Sequence, residues 1–119
     1  MRGVTTTIIA GALLGLATGA MAADFDGGWT VQVTTERGAC DHTYSYDVRV
    51  AHGRIEYTSY TSVTLNGTVS PEGAVMVNIR HFDDGAQGTG HLGVRSGSGG
   101  WRGAGKQGAC SGRWEAHRR

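Results

Sequence analysis

The stretch Gly108-Ala109-Cys110-Ser111-Gly112-Arg113-Trp114 holds one of the two cysteines in the 119-residue chain. It opens what reads as a final strand, in which Cys110, Gly112, Trp114 and Ala116 alternate with polar residues. The other cysteine, Cys40, follows what reads as a first strand. A bond between them closes a loop of roughly 70 residues, and the chain-entropy account of such a loop gives about 4 kcal/mol. A domain this small has little stability to spare, so the bond matters to the whole fold.

The compartment follows from the other end of the chain. Met1-Arg2 carries one positive charge, Val4 to Ala17 is apolar and small, and Ala20-x-Ala22 precedes a cleavage point after Ala22 or Ala23. This is the pattern of a secretory signal peptide over residues 1–22. The apolar run is shorter than the roughly 20 residues of a spanning helix, so no stable membrane anchor is expected. A single domain over residues 23–119 remains, about 97 residues long. The expected location is periplasmic or secreted, where two cysteines bond rather than stay free. The formal net charge of +1 gives no reason to expect nucleic acid as a partner. The basic end His117-Arg118-Arg119 reads as a solvated tail.

Working back from Trp114, the mature chain alternates with period two and shows no helical periodicity. Trp29, Val31 and Val33 share a face of the first strand. Tyr44, Tyr46, Val48 and Val50 share one in the second, after a turn at Glu36 to Ala39. His52-Gly53 makes a tight turn into Ile55 and Tyr57. Thr58 to Ser62 reads as a loop, and Val63, Leu65 and Val69 form a fourth strand with Gly67 as a bulge or kink. Ser70-Pro71-Glu72-Gly73 is a turn before Val75, Val77 and Ile79. Asp83-Asp84-Gly85 turns into a sixth strand carrying Gly88, Gly90, Leu92 and Val94. Ser96-Gly97-Ser98-Gly99 reads as the next loop, Trp101 and Gly103 as the seventh strand, and Gln107-Gly108 as the last turn.

The expected fold is therefore all-β: an antiparallel meander of about eight short strands closing into a small up-and-down barrel. Closure covers the single apolar face and removes the sheet edges. A two-sheet β-sandwich is the alternative. The 21 glycines against one proline fit the crowded corners of a small barrel. Inside would lie Trp29, Tyr44, Tyr46, Tyr57, Trp101 and Trp114, either replacing aliphatic bulk or lining a cup for a small planar ligand.

Chemistry-bearing patterns are scarce. There is no Gly-x-Ser-x-Gly, no free thiol beside a histidine and no phosphate-binding glycine loop. Asp83-Asp84 is a turn pair whose side chains point apart. Pairing places His81 and His91 on opposite faces, and no His-x-His occurs, so neither a metal nor a cofactor is expected. His42, beside Asp41 and Cys40, is the one local histidine cluster to inspect. Arginine outnumbers lysine on the polar faces, including Arg37, Arg49, Arg54, Arg80, Arg95, Arg102 and Arg113, but spacing groups no set of them.

The run of Phe25-Asp26-Gly27-Gly28-Trp29, Gly38-Ala39-Cys40-Asp41, Gly53-Arg54-Ile55, Gly67-Thr68-Val69-Ser70-Pro71-Glu72-Gly73, Gly100-Trp101-Arg102-Gly103 and Cys110-Ser111-Gly112-Arg113-Trp114 resembles a group of small exported alpha-proteobacterial proteins. That group is sometimes labelled haem-utilisation or adhesion-like. The resemblance covers essentially the whole mature chain and implies an exported barrel. It supplies no catalytic residues, and no haem-ligand motif is present. The opening Gly-x-Trp is similar to that of lipocalins, avidins and periplasmic metalloprotease inhibitors, a likeness of architecture. The expected function is an exported, non-enzymatic binding module engaging a small ligand or protein partner. The alternative is a periplasmic inhibitor or interaction protein binding through a loop or the arm Ala23 to Gly28; an enzyme is the third reading.

Overall fold

The computed structural model describes residues 24–57 and 62–119. The expected signal peptide, with Ala23, and Thr58 to Thr61 of the expected loop lie outside the described residues. Eight strands form a closed barrel in chain order, every neighbouring pair antiparallel. They are β1 (Gly27–Arg37), β2 (Thr43–Ala51), β3 (Arg54–Glu56), β4 (Val63–Val69), β5 (Ala74–His81), β6 (Asp84–Leu92), β7 (Ser96–Gly105) and β8 (Gly108–Arg118). No helix occurs among the described residues. The expected meander barrel is the fold, and a sandwich is ruled out because β1 pairs with both β2 and β8.

Alternation decides which residues meet. Trp29, Val48, Val50, Val69, Val75, Leu92, Trp114 and Ala116 point inward and form a buried cluster together with Phe25. The β1–β8 ladder runs from Trp29 opposite Arg118 to Arg37 opposite Ser111, with a bulge between Thr35 and Arg37. Beside it lies the Cys40–Cys110 disulfide, which joins residues 70 apart in sequence, as expected. Gly38 sits at φ +98°, against the carbonyl of Ala109 and the Cys110 sulfur, a site that no larger residue fits.

Several boundaries differ from expectation. Gly67 is not a bulge: β4 keeps unbroken register with β5, Gly67 opposite Val77. It is glycine because an added Cβ would stand 2.9 Å from Val77 Cγ2 and 3.0 Å from Ile55 Cδ1. The β5–β6 turn is Phe82-Asp83, with His81 opposite Asp84. The shift is an even number of residues, so His81 and His91 still face opposite ways. Val94 is in a bend and 66% exposed, because β6 ends at Leu92. Ser96 to Gly99 is no loop but the first part of β7, paired with β6 and β8. The last turn is Lys106-Gln107, with Gly108 already paired to Gly105.

The glycine-rich wall has a packing cause. Gly97 and Gly99 face inward on β7, and Gly88 and Gly90 face inward on β6. An added Cβ at Gly97 would meet Leu92 Cδ2 at 2.6 Å, and one at Gly99 would meet Trp114 Nε1 at 2.7 Å. One at Gly90 would meet Trp114 Cζ2 at 2.5 Å. The glycines thus make a flat recess in which the Trp114 indole lies.

Candidate functional site: an apolar cup

The two ends of the barrel are built differently. At one end Phe25 is buried, and the Trp29 indole N–H donates to its carbonyl at 2.9 Å. The Arg118 guanidinium donates to the carbonyls of Asp24 and Val94, both at 2.9 Å, and to that of Asp26. Its carbon lies 5.3 Å from the Trp29 ring centroid, within cation–π range. Arg118 is therefore a latch, not a solvated tail: it ties the arm before β1, the β6–β7 bend and the core tryptophan together. Gly73 turns the β4–β5 connection inward, where an added Cβ would stand 3.2 Å from Phe25 Cζ, and its carbonyl accepts from the Leu92 N–H at 2.8 Å. This end is plugged.

The other end is open. Val31, Val33, Leu65, Val77 and Ile79 all point to the barrel axis, yet each is only half-buried. A cavity of about 390 Å³ lies between them and the opposite wall of Ala86, Gly88, Gly103 and Trp101. Trp29, Val50, Val75, Leu92, Trp114 and Ala116 form its floor. The rim carries Cys40, Tyr44, Val63, His81, Asp84 and Gln107. A pocket of this size is large enough for a small ligand.

What the cup lacks decides its chemistry. The indole N–H groups that could face a ligand are used by the main chain. Trp101 donates to the Thr34 carbonyl at 3.1 Å, and Trp114 to the Thr89 carbonyl at 3.1 Å. Thr35 is buried and inward, but its hydroxyl donates to the Asp41 carbonyl at 2.6 Å. Among the described residues no carboxylate or cation lines the cavity below the rim, so an ionised ligand group would lose its hydration there without a partner. Tyr46 contributes a phenol to the lining. Burial, then the phenols of Tyr57 and Tyr44, push its pKa above the ordinary tyrosine value, so it stays a neutral phenol.

The aromatic set splits in two. Trp29, Tyr44, Tyr46, Trp101 and Trp114 all line the cavity. Tyr57 does not: it packs edge-on against Tyr46, with ring centroids 5.5 Å apart. Tyr44 sits at the rim, where its hydroxyl accepts from the Asp41 N–H at 3.2 Å. The aliphatic half of the lining, together with Ala86 and Gly88, was not singled out in the sequence, although the strand phase already pointed those residues inward.

No family model, curated protein or solved structure matches the chain.

Among the described residues no group of three or more His, Cys, Asp or Glu could hold a metal ion. His42 is exposed, and its carbonyl accepts from the Thr35 N–H at 2.8 Å. His91 lies outside the barrel, with Nε2 3.0 Å from the Glu72 carbonyl.

Proposed function

We propose that the chain is an exported, non-enzymatic binding module whose cup takes a small, uncharged, apolar or planar molecule. The observation that carries this reading is an open apolar cavity whose indole N–H groups are all satisfied by main-chain carbonyls. Below the rim such a lining offers carbon contacts and aromatic faces, and the titratable side chains of His81 and Asp84 stay at the rim. The disulfide supports an oxidising location, periplasmic or secreted. The resemblance to small exported proteins, and the architectural likeness to lipocalins and avidins, point the same way by analogy.

The inhibitor reading, with binding through the arm before β1, is less favoured. Phe25 is buried, and Arg118 holds its neighbours Asp24 and Asp26, so this arm would have to leave the core before it could engage a partner.

The test is a titration with N-phenylnaphthylamine, an uncharged probe that brightens in apolar surroundings. The protein should bind about one equivalent, with a dissociation constant in the micromolar range or tighter. Tryptophan emission should fall in step, as Trp101 and Trp114 transfer energy to the probe. No enhancement at saturating probe, with the protein folded, would overturn the reading.

A further inference from the structure

The outer face of the same wall carries a second feature. On β1, β7 and β5, outward positions near the mouth hold Arg37, Arg102 and Arg80. Residues 37, 80 and 102 are far apart in sequence, but closure of the barrel brings them to one shallow trough. Its floor is small: Gly85, Ala104 and Ala109. The Arg80 guanidinium lies over Gly85, 3.5 Å from where a Cβ would stand.

Register shows how the trough is organised. Asn78, Gln87, Arg102, Ser111 and Arg37 form one transverse row across five adjacent strands. At a strand spacing of about 4.8 Å, Arg102 and Arg37 stand roughly 10 Å apart across β8. Arg80 is also two strands from Arg102. Neutral hydrogen-bonding groups fill the places between the cations.

No carboxylate lines this trough. The nearest acid along the chain, Glu36, is already engaged by Arg113 at 2.7 Å, the one ion pair among the described residues. Asp84 faces the rim, and its Oδ1 accepts from the Lys106 N–H at 3.1 Å. Opposite charges on neighbouring strands stabilise each other across a sheet. Among the described arginines only Arg113 has such an ion pair; what sets Arg37, Arg80 and Arg102 apart is that they gather around one concave floor with amide and hydroxyl groups beside them.

We infer that this trough binds an anionic glycan, a saccharide chain bearing sulfate, phosphate or carboxylate groups. Guanidinium groups pair bidentately with such oxyanions. Asn78, Gln87 and Ser111 supply donors and acceptors suited to sugar hydroxyls. No aromatic side chain lines the trough, so it lacks the stacking platform that single-stranded nucleic acid uses. The site is separate from the cup, and an anionic glycan could occupy one face of the β6–β7 wall while the cup on the other face is full.

The experiment uses the disulfide-intact exported chain and heparin as probe, at low salt and at physiological salt. Wild type should bind heparin, more weakly as salt rises. Arg37→Gln/Arg80→Gln/Arg102→Gln should lose about tenfold or more in affinity, at roughly one charge-assisted contact per residue. Arg49→Gln/Arg54→Gln/Arg95→Gln removes the same charge elsewhere and should stay within about twofold of wild type. Thermal melts confirm that both variants fold. Absence of heparin binding, equal losses in the two variants, or binding of inorganic polyphosphate without heparin would each overturn the inference.

Discussion

Replacing both Cys40 and Cys110 by serine, or reducing their bond, should cost about 4 kcal/mol and lower the melting temperature by roughly 20 °C. The size follows from the separation of 70 residues, a loop that takes in most of the domain. The bond closes little that hydrogen bonding does not already close, since β1 and β8 share a ladder from Trp29 to Arg37. Its effect therefore falls mainly on the unfolded chain, which expands when the constraint is lifted. Urea unfolding of the serine variant should accordingly be steeper as well as earlier, because more surface is exposed. The native cost is the loss of sulfur packing around Cys110, which is 3% exposed, and of the close seat for Gly38. Thermal melts with and without reductant measure the effect. A melting temperature unchanged by reduction would contradict it.

Trp29→Ala should be of similar size, a loss of about 4 kcal/mol. Trp29 is 1% exposed and the largest fully buried side chain. Its removal leaves a void at the junction of floor and plug, takes away the donor that holds the Phe25 carbonyl at 2.9 Å, and removes the face under Arg118. The damage extends to the arm before β1, because Arg118 ties Asp24 and Asp26 to this ring. Trp29→Phe should recover part of the loss, restoring apolar volume without the N–H. Denaturant unfolding of the two variants separates these contributions. A loss below about 1 kcal/mol for Trp29→Ala would show that the plug is not organised on this residue.

The inward phase of every strand was legible from alternation alone, from Trp29 in β1 to Ala116 in β8, and the two cysteines announced their own pairing. What was not legible were the places where composition and packing disagree. Ser96 to Gly99 has the composition of a linker, yet it is strand because Leu92 and Trp114 occupy the space that its missing side chains leave. Gly67 has the composition of a kink, yet it stays in register because Ile55 and Val77 close over it. Arg118 looked like a tail because its partners are main-chain carbonyls, which no sequence pattern displays. The arginine trough needed the hairpin centres to be right, and Phe82-Asp83 and Lys106-Gln107 each lie off the positions that turn chemistry favours. Phe82 takes φ 57°, a place where glycine is the usual occupant, so turn chemistry points further along the chain, to Asp83-Asp84-Gly85.

The cup can be closed from inside without disturbing the wall. Gly88 is an inward glycine whose added Cβ would meet only ordinary contacts: Gly100 O at 3.6 Å, Trp114 Nε1 at 3.7 Å and Trp101 Cβ at 3.8 Å. A leucine there projects into the lumen between the indoles. The decisive measurement is N-phenylnaphthylamine binding by Gly88→Leu beside wild type, with the melting temperature of each recorded. A hollow binding cup predicts a folded Gly88→Leu protein that has lost at least about tenfold in probe affinity. A folded Gly88→Leu protein that binds the probe as wild type does would contradict it.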